Sequence, residues 1–259
     1  MTKPRVLILR APGTNCDQEA ASAFALAGGE PTSVHVNRLL EKPALFDDFQ
    51  ILCLPGGFSY GDDIAAGRIL GNQIRHHLAE SLRRFKDAGK LILGICNGFQ
   101  IMVRSGILLD DHPEQGPAAT LADNDSGKFE CRWVRLAVNG SKCVFLEGIE
   151  SLYLPVAHGE GKFVPRDGAV WKSLEENGQL VLRYQRLDQG AGDVPYPENP
   201  NGARGDVAGV CDSTGRVFGL MPHPERHVDP THHPRWTREG LKGEGDGLAV
   251  FKNAVRFFA

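Results

Sequence analysis

Nothing in this sequence is in marked excess, and each shortage removes a class of function. Lysine and arginine number 29 against 32 aspartates and glutamates, a formal net charge of −3. That balance gives no electrostatic pull toward nucleic acid or an anionic membrane. The densest basic cluster, Arg83-Arg84 with Lys86, falls on an expected helix and reads as a solvated face. No apolar run approaches a membrane span. The first one, Val6-Leu7-Ile8-Leu9, is too short for a signal-peptide core, so a cytoplasmic location is expected. There is no Cys-x-x-Cys pair among the six cysteines. They are therefore expected as reduced thiols, with no metal site. No P-loop or other ATP motif is present. No internal repeat and no strong linker divides the chain, so residues 1–259 are expected to form a single domain. What remains is 41% hydrophobic and 24% charged, the composition of an ordinary globular protein.

The first hundred residues alternate between short apolar runs and helical patterns. Strands are expected at 6–10, 32–36, 51–54 and 91–95, and helices at 17–27 and across 62–88, the latter loosened by Gly67 and Gly71. This alternation implies right-handed βαβ units and an α/β fold, a mostly parallel central sheet with helices on both faces. After Ser105 the pattern changes to strands at 132–138, 152–156, 180–185, 207–211 and 217–221, joined by turns rather than long helices. Ser213-Thr214-Gly215 reads as a hairpin turn, and a closing helix is expected at 248–258. The later strands extend the sheet in antiparallel fashion. In such sheets ligands bind at the carboxyl ends of the parallel strands. A long loop from Gln189 to Gly205, rich in glycine and proline, is expected to be functional or mobile.

One of those carboxyl ends carries the most reactive feature of the chain. Gly94-Ile95-Cys96-Asn97-Gly98 joins the strand 91–95 to a helical stretch beginning at Phe99. A strand turning sharply into a helix, with a glycine-flanked nucleophile at the turn, is a nucleophile elbow. The helix N-terminus favours thiolate over thiol at Cys96. A base is offered by Met221-Pro222-His223-Pro224-Glu225. Its prolines stiffen the backbone around His223, and Glu225 is close enough in sequence to fix the imidazole tautomer. Pro55-Gly56-Gly57-Phe58 ends another strand, where paired glycines can aim an N–H at a ligand. The Gly57 and Asn97 N–H groups form a candidate two-donor oxyanion hole.

Gly-x-Cys-x-Gly-x-Gln at 94–100, Pro-Gly-Gly at 55–57 and His-x-Glu at 223–225 resemble the class I (triad) glutamine amidotransferases. Arg10-Ala11-Pro12-Gly13-Thr14-Asn15-Cys16-Asp17, Gly56-Gly57-Phe58-Ser59-Tyr60-Gly61-Asp62, Cys96-Asn97-Gly98-Phe99-Gln100, Pro155-Val156-Ala157-His158-Gly159-Glu160-Gly161, Asn199-Pro200-Asn201-Gly202 and Met221 to Arg226 are similar to one branch, the glutaminase components of phosphoribosylformylglycinamidine synthase. The resemblance implies a flavodoxin-like class I fold, Cys96 as nucleophile, His223 as base and Glu225 as its orienter. It implies that Gln100, Phe58 and His158 belong to the glutamine pocket. It further implies hydrolysis of L-glutamine to glutamate and ammonia, and a partner synthetase subunit that uses ATP and Mg to convert formylglycinamide ribonucleotide to formylglycinamidine ribonucleotide. A small bridging subunit is compatible with it. No cofactor is expected in this chain. The sequence departs from the branch at Asp62-Asp63-Ile64-Ala65-Ala66, and in the histidine-rich stretch from His227 to Pro234, whose irregular setting sets no ligand geometry for a metal.

Three rivals stand beside this reading. A glutaminase serving a different ATP-dependent synthetase would share the triad but not Pro-Val-Ala-His-Gly-Glu-Gly. A papain-like hydrolase would place its cysteine near the N-terminus within a Cys-Gly-Ser-Cys-Trp type signature, absent here. A binding module without catalysis would not need Cys96, His223 and Glu225 intact.

Overall fold

The computed structural model describes residues 3–112, 114–140, 142–188, 192–240 and 243–259. Apolar runs flanked by turn residues become its central strands, and amphipathic segments cover them. The first half runs β1 (Arg5–Arg10), α1 (Asp17–Leu26), β2 (Glu30–His35), α2 (Val36–Glu41), β3 (Ile51–Leu54), α3 (Arg68–His77), α4 (Ala79–Asp87), β4 (Leu91–Ile95) and α5 (Asn97–Ser105). The second half runs β5 (Ala119–Asp123), β6 (Glu130–Val138), β7 (Ser151–His158), β8 (Glu160–Pro165), α6 (Gly168–Glu176), β9 (Leu182–Tyr184), β10 (Val207–Cys211), β11 (Val217–Leu220), α7 (Trp236–Glu239) and α8 (Leu248–Arg256).

Eleven strands form two sheets among the described residues. The large one has the order β2-β1-β3-β4-β11-β10-β9-β6-β7, and β5 pairs with β8 in the small one. Pairings from β2 through β11 are parallel, whereas β11–β10, β10–β9, β9–β6 and β6–β7 are antiparallel. The expected α/β architecture, parallel at its core and extended by antiparallel strands, is the observed one. β3 and β4 are buried along their whole lengths, as strands covered on both faces must be. No helix among the described residues is long and apolar enough to cross a membrane.

Several elements differ from expectation for local reasons. The helix expected across 62–88 is two, α3 and α4, which meet at Leu78 (φ −121°, ψ 0°). Residues 60–62 are not helical, because Tyr60, Gly61 and Asp62 all have left-handed φ values. Gly67 caps α3, and Gly71 lies inside it, where a Cβ would press on the Arg104 Cβ of α5. The strand expected at 32–36 starts at Glu30 and stops at His35, whose side chain accepts from the Asn37 N–H and opens α2. α6, unexpected in the second half, is capped by Asp167, which accepts from the Ala169 and Val170 N–H groups. Gln189 and Gly190 of the long loop lie outside the described residues.

Candidate active site

Cys96 sits where β4 ends and α5 begins. Its N–H donates to the Leu220 carbonyl of β11 (2.8 Å), and its carbonyl accepts from Gln100 N–H (3.1 Å). Between those anchors the backbone adopts φ 51°, ψ −107°. For a residue with a side chain this is a strained conformation, held by its surroundings. The sequence makes it possible through Gly98. A Cβ there would land on the Leu54 carbonyl oxygen, so only glycine lets α5 approach β3 closely enough. The thiol is 5% exposed and donates to the Ala157 carbonyl at 3.5 Å.

β11 delivers His223, the candidate base, to the same end of the sheet. The His223 N–H donates to the Pro155 carbonyl of β7 (2.9 Å), which fixes the Pro222-His223-Pro224 turn against the opposite edge of the site. The His223 Nδ1–H donates to Glu225 Oε1 at 2.6 Å, both side chains being buried. With Nδ1 engaged, Nε2 is the nitrogen left for proton transfer, and it is buried with no hydrogen-bond partner among the described residues. Burial alone would disfavour the imidazolium. The Glu225 carboxylate and then Cys96 outweigh it and raise the His223 pKa well above its ordinary value. The environment is therefore built to hold a proton on His223 when Cys96 is a thiolate.

The oxyanion candidates flank this pair. Gly57 (φ 137°) bridges Thr14 across an antiparallel contact. The flanking bonds run from Phe58 N–H to the Gly13 carbonyl (3.0 Å) and from Cys16 N–H to the Gly56 carbonyl (3.3 Å). By strand alternation the Gly57 N–H then points away from that segment. The Asn97 N–H is in the first turn of α5, whose N-terminus has no side-chain cap. Gln100 is buried one helical turn on, with Nε2 donating to the Glu160 carbonyl (2.5 Å).

His158 is buried beside the pair, and its tautomer can be deduced. Asn124 donates through Nδ2 to the carbonyls of Lys128 and His158 (both 2.8 Å), and its Oδ1 accepts from Gly161 N–H (3.2 Å). The Asn124 Oδ1 at 3.0 Å from His158 Nδ1 must then accept, so Nδ1 carries the proton and Nε2 does not. Burial, then the charge of His223, lowers the His158 pKa to about 4. Phe58 is the outlier among the expected pocket residues: the residue is 46% exposed, and its ring lies 6.3 Å from that of Phe129, at the surface rather than in the interior.

Sequence reasoning gave no role to Cys16 or Arg226. Cys16 Sγ, a His223 ring nitrogen and a Glu225 carboxylate oxygen lie within 4.8 Å of one another. Arg226 Nη2 donates to that sulfur at 3.1 Å, and its guanidinium pairs with Glu19 at 3.4 Å. The donor set looks like a cation site, but Glu225 Oε1 is committed to His223 and a guanidinium stands on the sulfur, so it does not fit a metal ion. Burial raises the Cys16 thiol pKa, partly opposed by His223. The histidine-rich stretch gathers elsewhere: Trp133, Tyr153, His227 and His233 pack ring on ring.

A buried thiol at an elbow, a paired histidine and glutamate, and two candidate oxyanion donors are the parts of a triad amidotransferase, and comparison with known proteins agrees. The model of the CobB/CobQ-like glutamine amidotransferase domain matches residues 3–258, and the chain belongs to that family, in its phosphoribosylformylglycinamidine synthase subunit PurQ branch. The subunit PurQ of Dehalococcoides mccartyi is 53% identical, with 99% of this chain and 98% of the relative covered. That of Methanococcus maripaludis strain S2 is 42% identical, covering 98% and 97%. A chain from the structure of PurLQS from Thermotoga maritima superposes with a TM-score of 0.75 at 35% identity, covering both chains fully.

Proposed function

We propose that this chain is the glutaminase subunit of phosphoribosylformylglycinamidine synthase. It hydrolyses L-glutamine and passes ammonia to a synthetase subunit that converts formylglycinamide ribonucleotide to formylglycinamidine ribonucleotide. The observation that carries the chemistry is the strained Cys96 elbow beside the buried His223–Glu225 pair. Cys96 Sγ attacks the carboxamide carbon, and the oxyanion is received by the Gly57 and Asn97 N–H groups. His223 gives its proton to the departing nitrogen, so ammonia leaves and a γ-glutamyl thioester remains. Water then attacks the thioester with His223 taking its proton, which releases glutamate and restores the thiol.

The relatives that match along nearly the whole chain carry the name of this one synthase, which favours it over another ATP-dependent ligase as acceptor. On this reading residues 1–259 act as one glutamine amidotransferase domain in the cytoplasm, without a cofactor of their own. ATP and Mg are used by the partner. The test is reconstitution of the chain with the synthetase subunit from the same organism, followed by measurement of glutamine-dependent product formation. Synthesis that requires both polypeptides supports the assignment. A synthetase that uses glutamine equally well without this chain overturns it.

A further inference from the structure

The loop after Gly57 is held in a conformation its own residues disfavour. Tyr60 (φ 55°), Gly61 (φ 72°) and Asp62 (φ 53°) are successive left-handed residues, and two of them bear side chains. Such a run persists only where its surroundings over-determine it. One side is held by backbone bonds, Phe58 N–H to Gly13 (3.0 Å) and Tyr60 N–H to Pro12 (2.7 Å). On the other side the Tyr60 hydroxyl donates to Gln73 Oε1 (3.0 Å), and both ends of the run are tied by the side chain of Asn97. Its Oδ1 accepts from Ser59 N–H (3.3 Å), and its Nδ2 donates to Asp62 Oδ1 (3.1 Å) and Gln100 Oε1 (3.0 Å).

The amide cannot be turned around. Ser59 N–H offers only a donor, and the Gln100 oxygen faces Asn97 because its nitrogen donates to Glu160. Both Nδ2 hydrogens and the oxygen of Asn97 are thus committed, at a residue 2% exposed. Asp62 in turn accepts from Gly67 N–H (3.3 Å) at the start of α3.

We propose that the side chain of Asn97 is a positioning residue: a bracket that locks residues 59–62, and through them the Gly57 N–H, in register with the nucleophile beside it. This rests on the glutaminase reading above. It places both halves of the oxyanion hole under one residue, the Asn97 N–H directly and the Gly57 N–H through the loop. The bracket acts chiefly on the oxyanion donors, so its loss belongs mainly in kcat, with a smaller rise in KM through Gln100, whose oxygen Asn97 also holds.

The test uses the assembled complex, with ammonia-dependent synthesis as the internal control for an intact partner. In Asn97→Asp the new carboxyl group can still accept from Ser59, but with at most one proton to give it cannot donate to Asp62 and Gln100 together. Glutamine-dependent kcat is expected to fall about tenfold or more with KM within about threefold. Adding Asp62→Asn in the same chain supplies a donor opposite that carboxylate and should recover about fivefold or more. Alkylation of Cys96 by iodoacetamide, a displacement that forms no oxyanion, should stay within about twofold throughout. A double variant no better than Asn97→Asp, a loss confined to KM, or alkylation falling in step with kcat would overturn the bracket. If Asn97→Asp does not fold, Asp62→Gly decides: glycine accepts the left-handed backbone but deletes the anchor, so kcat should still fall, and an unchanged kcat refutes the proposal. A wild-type complex without glutamine-dependent activity would instead remove the glutaminase reading itself.

Discussion

Replacing His158 with glutamine should flatten the loss of stability that this chain undergoes on acidification. The folded His158 is neutral, with Nδ1–H given to Asn124 and Nε2 buried with no hydrogen-bond partner among the described residues. Burial, then the positive charge of His223, depresses its pKa from 6.5 to about 4, against a smaller opposing pull from Glu130. The sign follows from linkage. Below 6.5 the unfolded chain takes up a proton that the folded chain refuses, so stability drops until the folded group titrates near 4, and is constant below that. At about 1.4 kcal/mol per pH unit the full loss is about 3 kcal/mol, of which about 2 kcal/mol is spent between pH 7 and pH 5. His223 is common to both proteins, so its contribution drops out of their difference. Its folded pKa is raised, so its contribution is fully present below 6.5 and is lost only as pH rises through the folded value. The assay is urea unfolding of the wild type and His158→Gln at about pH 7, 6 and 5. The wild type should lose about 2 kcal/mol more than the variant over that range. Parallel curves would show that His158 accepts a proton in the folded state as readily as in the unfolded one, and the buried-neutral account would be wrong.

Other outcomes follow from the same geometry. His223→Ala should cut glutamine turnover on the order of 10³-fold or more, and Glu225→Gln distinctly less, since only the imidazole moves protons; equal losses in single-turnover assays would contradict the division of roles. Gly98→Ala puts a methyl group on the Leu54 carbonyl and should cost about 3 kcal/mol or more in urea unfolding; a wild-type midpoint would mean that α5 can back away from β3 freely. Glutamine hydrolysis by the isolated chain should rise about tenfold or more when synthetase, ATP and acceptor nucleotide are added, a change that needs only about 1.4 kcal/mol of differential binding. Equal kcat/KM in the two conditions would show that the site takes nothing from the partner.

The site was legible in the sequence to the extent that it depends on local turns. The strand 91–95, the glycines at 94 and 98 and the prolines around His223 each announce a backbone geometry at one place in the chain. β4 therefore appears with its expected boundaries, and the pairing of His223 with Glu225 needs only two residues of separation. What the sequence did not disclose arises from segments distant along the chain. Cys16 gains its position from Gly56 and Arg226, and the Asn97 side chain from Ser59 and Asp62, neither of which is marked by a periodicity. The break at Leu78 is not visible in the spacing, because Leu70, Ile74, Leu78, Leu82 and Phe85 keep one apolar stripe across α3 and α4. α6 was overlooked for the opposite reason: it buries only Trp171 and Leu174, too few apolar positions to set a period, although Asp167 two residues before Ala169 was a readable cap.

The central claim is that Cys96 of this chain, and no group on the partner, releases the ammonia used in synthesis. The most direct measurement compares glutamine-dependent with ammonia-dependent formation of formylglycinamidine ribonucleotide by complexes assembled with wild-type chain and with Cys96→Ala. The account predicts that the variant loses glutamine-dependent synthesis to background while ammonia-dependent synthesis stays within about twofold of wild type. Retained glutamine-dependent synthesis in a fully assembled Cys96→Ala complex would contradict it.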